Sequence, residues 1–172
     1  MKKFLILFAA LTLSIALTGC ETTVEVPMEL PELPEVVDMT NVDDYLGRPD
    51  VQYVDLRNFD DKMNSGYIAG FEFIPFFEYL EYSNILVRTN AWTFETASIK
   101  NAAALEGLFD MDKTIFLMCG SGTRAGFVKD ALDSLGYTTY NVGGITNYAG
   151  EAKVLGDGTY NLVVPKVGPY TP

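Results

Sequence analysis

Histidine is absent from this chain. With it go Ser-His-Asp and Cys-His catalysis and every histidine-ligated metal site. Cysteine is nearly absent too. Cys20 and Cys119 are the only two and form no C-x-x-C pair, so neither a zinc cluster nor a thioredoxin-type dithiol is available. Basic residues are scarce, 12 against 23 acidic ones. A surface so acidic argues against nucleic acid and against anionic membrane or wall polymers as partners, and serves solubility instead. The apolar run from Phe4 to Leu17 is short for a membrane span, which takes ~20 residues. What is present is apolar material: 48% of 172 residues, including 11 Phe and 10 Tyr, enough for one core and one domain.

The start of the chain, MKKFLILFAALTLSIALTGC, has a charged beginning, an apolar stretch and small residues before a cysteine. That is the layout of a secretory signal peptide. Its ending, Leu17-Thr18-Gly19-Cys20, resembles the bacterial lipoprotein lipobox, which implies a signal peptide over residues 1–19, cleavage before Cys20 and a lipid on its thiol. The mature protein would then sit on the extracytoplasmic face of the cell membrane with Cys119 as its only thiol. Losing Lys2 and Lys3 would move the net charge from −11 to −13. Residues 20–37 are acidic and carry Pro27, Pro31 and Pro34, which favour extended chain and block helix packing. They read as a tether, with Val36-Val37 a candidate edge strand.

Residues 38–172 read as the domain. Asn41–Gly47 and Asn58–Gly66 have the caps and stops of short helices, and Val51–Leu56 is rich in strand formers. Gly70–Pro75 is a short strand; Phe76–Ser83 and Phe94–Phe109 are spaced as helices; Asn84–Thr93 is a candidate flap around Trp92. The aromatic cluster Phe71, Phe73, Phe76, Phe77, Tyr79 and Tyr82 reads as core. Thr114–Met118 is a central strand, Ala125–Leu135 a helix and Thr138–Val142 a further strand, with Gly143-Gly144 as a turn. Residues 152–164 suggest a hairpin-like C-terminal extension. Strands alternating with helices give an α/β domain with a mainly parallel central sheet and helices on both faces. In such sheets ligands bind at the carboxyl ends of strands.

Cys119 ends the central strand; taken alone it reads as a buried core cysteine, and it is the glycines and arginine after it that favour a site. The glycine-rich loop Gly120-Ser121-Gly122-Thr123 follows, then Arg124, then a helix. Loop N–H groups at a helix N-terminus hold anions and favour thiolate over thiol. Gly120 and Gly122 let the backbone curl around one sulfur, Ser121 and Thr123 add hydroxyl donors, and Arg124 adds charge. A thiolate attacking a sulfane sulfur needs no base, because the leaving group departs as an anion. Lys113 and Lys129 flank the loop and are candidates for attracting an anion locally, although lysines so placed are more often solvated surface.

Three segments together resemble the rhodanese family. They are Val54-Asp55-Leu56-Arg57; Ser65-Gly66-Tyr67-Ile68-Ala69-Gly70-Phe71 before Ile74-Pro75; and the Cys119–Arg124 loop with its helix, Leu135-Gly136-Tyr137 and Val142-Gly143-Gly144-Ile145 before Tyr148. The resemblance covers about residues 36–150. It implies a persulfide-forming Cys119, a cradle formed by Gly120, Ser121, Gly122, Thr123 and Arg124, and an Asp55 that supports the site structurally. It implies an Arg57 that binds the anionic end of a donor; the alternative is a salt bridge from Arg57 to Asp60 or Asp61. The activity implied is sulfur transfer from a thiosulfate- or mercaptopyruvate-type donor to a cyanide-, sulfite- or thiol-type acceptor, with no cofactor and no metal. Cys-Gly-Ser-Gly is similar to the mercaptopyruvate-using branch, whereas Thr123-Arg124 departs from that branch's Val-Thr.

Two other function classes fit parts of the pattern. A cysteine-dependent phosphatase or arsenate reductase also uses a cysteine–arginine loop, but that group carries five residues between Cys and Arg where this chain has four. A non-catalytic binding module on the same scaffold is the other, since fold does not imply activity.

Overall fold

Strand segments whose alternate residues are apolar build the centre of the domain. In the computed structural model, which describes residues 29–155, β1 (Val51–Asp55), β3 (Glu72–Phe73), β4 (Thr114–Cys119) and β5 (Thr138–Gly144) form one parallel sheet in the order β3-β1-β4-β5. Two short strands, β2 (Tyr67–Ile68) and β6 (Lys153–Val154), pair antiparallel beside it. Three α-helices, α1 (Phe59–Ser65), α2 (Ala102–Glu106) and α3 (Thr123–Ser134), are the regular helical elements among the described residues.

The two-residue period of the strands sorts side chains onto two faces. Val54, Ile115, Leu117 and Cys119 pack with Leu105 of α2 and with Ala125, Phe127, Val128, Ala131 and Leu132 of α3. Tyr53, Phe116, Met118 and Val142 point the other way, against Val37, Val42, Leu46, Ile145 and Tyr148. Helical elements therefore cover both faces, although the second is covered by 3-10 turns at Val42–Tyr45 and Ile145–Asn147. Phe116 is the centre of that second core, with the rings of Tyr45, Tyr53 and Tyr140 edge-on around it at 6.4, 5.6 and 5.3 Å.

Several local expectations are corrected. Phe94–Phe109 is not one helix: a 3-10 turn at Thr96–Ser98 is followed by α2, only five residues long. Thr96, Ser98 and Ile99 are weak helix formers, and the Asn101 side chain accepts from Ala104 N at 3.1 Å, starting a new helix there. Phe76–Ser83 becomes a π-helical turn over Phe76–Glu81, with Leu80 N donating to Pro75 O. Within the aromatic cluster Phe71 and Phe76 are core, while Tyr79 and Tyr82 are exposed. Val36-Val37 forms no strand. Val37 is nonetheless buried and Tyr140 Oη donates to Pro34 O at 2.9 Å, so the compact unit begins at Leu33.

The segment 84–93 is pinned to the core. Trp92 packs 5.4 Å from Phe76 and 6.0 Å from Phe127, while Arg88 stacks over Trp92 at 4.6 Å and forms an ion pair with Glu81. The signal peptide, Cys20, most of the tether and the 159–164 arm of the expected hairpin lie outside the described residues. The described arm at Lys153–Val154 pairs with β2.

Candidate active site

β4 delivers Cys119 to the carboxyl end of the sheet, and α3 starts four residues later. The link works because Gly122 adopts φ +94°, a left-handed conformation that L side chains avoid. That turn points the Gly122 N–H at Cys119 Sγ, 3.1 Å away. The cysteine is free, and at 0% exposure it is part of the core.

The loop is held from outside by β5 and the turn after it. Asn141 Nδ2 donates to Gly122 O at 3.0 Å, and Thr146 Oγ1 donates to Gly120 O at 3.0 Å. Gly144 sits against the loop backbone. A methyl group there would stand 2.3 Å from Gly120 O and 2.5 Å from Ser121 Cα. Gly143-Gly144 is therefore strand rather than turn, and its second glycine makes room for the loop.

The remaining expected residues divide. Ser121 and Thr123 bring their hydroxyls within 3.3 Å of each other, and among the described residues neither bonds the sulfur. Arg124 lies over the Phe77 ring at 5.5 Å, and its guanidinium reaches Asp61 at 3.5 Å and Leu56 O at 3.4 Å. Arg57 pairs with neither Asp60 nor Asp61. It is 1% exposed and folds back on Asp55, which accepts from its N, Nε and Nη2 at 3.0, 3.0 and 2.7 Å. Its Nη2 also donates to Gly66 O at 2.8 Å, while Nη1 is buried with no partner. Asp55 thus fixes the guanidinium rather than touching the loop. Lys113 and Lys129 are engaged by Asp110 and Asp133.

A cavity of about 300 Å³ opens beside the loop, lined by Arg57, Asp61, Ser65, Gly120, Arg124, Ile145, Thr146 and Lys153. Cys119 is not on its wall; the adjacent Gly120 is. The cavity brings together three of the residues expected from sequence, Arg57, Gly120 and Arg124.

The profile of the family described as Rhodanese-like domain matches residues 38–151. The chain belongs to that family. No curated protein and no solved structure shows significant similarity to it. The match spans each element named above as building the loop, from β1 through the Ile145–Asn147 turn.

In this rhodanese-like chain, the sequence named Ser65 only as the start of a resembling segment and gave no site role to Thr146 or Lys153. Ser65 was readable as the last residue before the Gly66 stop. Thr146 and Lys153 carry no local signal, because each reaches the site through chain pairing far along the sequence. Lys153 comes with β6, and β6 is placed by Tyr148, whose hydroxyl accepts from Ala152 N at 3.0 Å and donates to Asp43 Oδ1 at 2.5 Å. Burial, together with that bond to the Asp43 carboxylate, pushes the Tyr148 hydroxyl well above its ordinary range.

Proposed function

We propose that this protein is a sulfurtransferase that carries sulfane sulfur as a persulfide on Cys119. The observation that carries the reading is the Gly122 N–H pointed at Cys119 Sγ, in a loop whose flank opens on a cavity lined by two arginines. A backbone donor aimed at sulfur steadies it as an anion, in the ground state and as the persulfide alike. With thiosulfate, the Cys119 thiolate attacks the outer sulfur and forms a new S–S bond. The old S–S bond breaks and its electron pair leaves with sulfite. Cyanide, sulfite or a thiolate then attacks the outer persulfide sulfur, and the Cys119 thiolate leaves. No proton has to move in the steps between anions, so a chain without histidine can perform them.

Arg124 favours this reading over phosphate chemistry. Its guanidinium reaches Asp61 and Leu56 O, and only four residues separate it from Cys119, one fewer than the phosphatase group carries. The test is intact mass after incubation with thiosulfate or mercaptopyruvate. A gain of one sulfur that disappears in Cys119→Ser supports sulfur transfer. Turnover of an aryl phosphate with no gain from any sulfane donor replaces it with the phosphatase reading, and neither result leaves a binding module.

We further propose that Cys20 is lipidated and anchors the domain outside the cytoplasm, on the pattern of residues 1–20. Cys20→Ala is then expected to shift the protein from the membrane fraction to the soluble one. Persistence in the membrane fraction rules the anchor out.

A further inference from the structure

The described cations of this acidic chain are mostly engaged. Arg48 pairs with Asp50, Arg88 with Glu81, Lys113 with Asp110 and Lys129 with Asp133. Lys62 lies over the Tyr67 and Phe73 rings at 4.4 and 4.8 Å, and Lys100 Nζ donates to Ala97 O. Among the described residues Lys153 has no such partner, and it lines the cavity beside the loop. Across the same cavity Arg57, almost wholly buried, keeps Nη1 unpaired. A buried guanidinium N–H without an acceptor costs free energy unless a ligand supplies one. Arg124, the third cation there, holds its carboxylate only at 3.5 Å. A chain with an excess of acid has therefore brought a lysine without such a partner and one unpaired guanidinium N–H to the same cavity, and only Asp61 opposes them on its wall.

The backbone under Lys153 is held in place. Ile68 of β2 registers with Lys153 of β6, Ala69 N donates to Ala152 O at 2.8 Å, and Asp43 binds Glu151 N as well as Tyr148 Oη. The strand thus fixes where the side chain leaves the backbone, and only its own rotamers are ordered when the ammonium meets an anion.

We propose that Lys153 is the specificity residue of this cavity and holds the anionic, non-transferred end of the sulfur donor, so that it selects small donors with a charged end group over neutral polysulfides. The inference rests on the sulfurtransferase reading for its ligand. Its residue, Lys153, comes from β6, outside the loop and its helix. The cavity is open and about 300 Å³, room for a compact oxyanion such as a sulfo or carboxylate group.

The probe is thiosulfate, and the protein is the Cys119→Ser variant, which binds without turnover. Calorimetric titration is expected to show saturable binding that weakens roughly tenfold in Lys153→Gln, the worth of one charge-assisted hydrogen bond, and recovers in Lys153→Arg. Thermal melting of each variant checks folding, with Lys153→Arg retaining the charge if Lys153→Gln is unstable. In protein with Cys119 intact, Lys153→Gln is expected to slow sulfur loading from thiosulfate but not the reaction of Cys119 with a neutral dialkyl trisulfide. In that reaction the thiolate attacks one sulfur, the S–S bond breaks, and an alkyl thiolate or alkyl persulfide anion leaves. Cys119 keeps the remaining alkylated sulfur as a mixed disulfide or trisulfide. Equal thiosulfate affinity in folded Lys153→Gln, absence of binding to Cys119→Ser, or equal slowing with the neutral donor overturns the subsite. Failure of sulfur transfer reads differently: Cys119 gains no mass, yet thiosulfate still binds in a Lys153-dependent way.

Discussion

Gly144 of β5 and Gly120 of the loop are in backbone contact, so close that a Cβ at 144 would lie 2.3 Å from the Gly120 carbonyl oxygen. The contact arises where β5 shifts register against β4, so that Cys119 comes to pair with Gly144. The edge of β5 is thus the mould on which the loop curls.

Gly144→Ala is expected to push the loop off this edge. Overpacking against backbone costs about 1–3 kcal/mol. A displacement of the Gly122 N–H from sulfur is expected to cut the rate of sulfur loading by on the order of a hundredfold. Urea midpoints and single-turnover mass spectrometry read the two effects separately. A variant that loads at the native rate refutes the mould.

Asp55 and Arg57 form a buried ion pair with both side chains about 2% exposed. Asp55→Asn keeps an acceptor for Arg57 N but leaves the guanidinium charge unpaired in the interior. The expected loss is roughly 3–5 kcal/mol, measured by urea denaturation. A loss below about 1 kcal/mol shows that the pair behaves as a surface one.

Cys119 is fully covered in the folded domain. A bulky aromatic disulfide reagent is expected to react with it more slowly than with the unfolded chain by on the order of a hundredfold, because reaction requires local opening. Stopped-flow absorbance with and without urea checks this. Equal rates would falsify the covered thiol.

Stability is expected to fall in alkali. Burial, reinforced by the nearby Asp50 charge, pushes Tyr53 up from 10.0 to about 12, and Tyr148 is raised in the same direction. Both tyrosines are neutral in the folded state. The unfolded chain ionises first, so the stabilisation is complete below pH 10 and is lost as pH rises from there through about 12. Urea midpoints between pH 8 and 12 should drop in native protein and drop less in Tyr53→Phe. Identical slopes in the two proteins assign the alkaline loss elsewhere.

Phe116 is gripped by three tyrosine rings. Phe116→Ala is expected to cost about 3–5 kcal/mol by leaving a cavity in the second core. Trp92, the single tryptophan, lies in the other core and provides a fluorescence signal for the transition.

Much of this was legible in the chain itself. The strands β1, β4 and β5, the loop and α3 declare themselves because each is set by local rules: alternation, a helical run, a glycine at a forced φ. The same rules broke down over 94–109, where apolar spacing suggested one helix but poor helix formers and the Asn101 cap divided it. They were silent on Trp92, whose place is set by Phe76 and Phe127.

The sequence by itself determined the local order: in a chain without histidine, Cys119 ends a strand ahead of a glycine loop, an arginine and a helix. These are properties of neighbouring residues, and neighbours are what a sequence lists. The tertiary structure decided what surrounds that thiol. It turned Arg57 onto Asp55, Arg124 toward Asp61, and the Ser121 and Thr123 hydroxyls toward each other. It seated the loop on Gly144 and brought Lys153 to the cavity. Each of these depends on strand register and on burial competing for the same charges, and both are settled only when distant segments pack together.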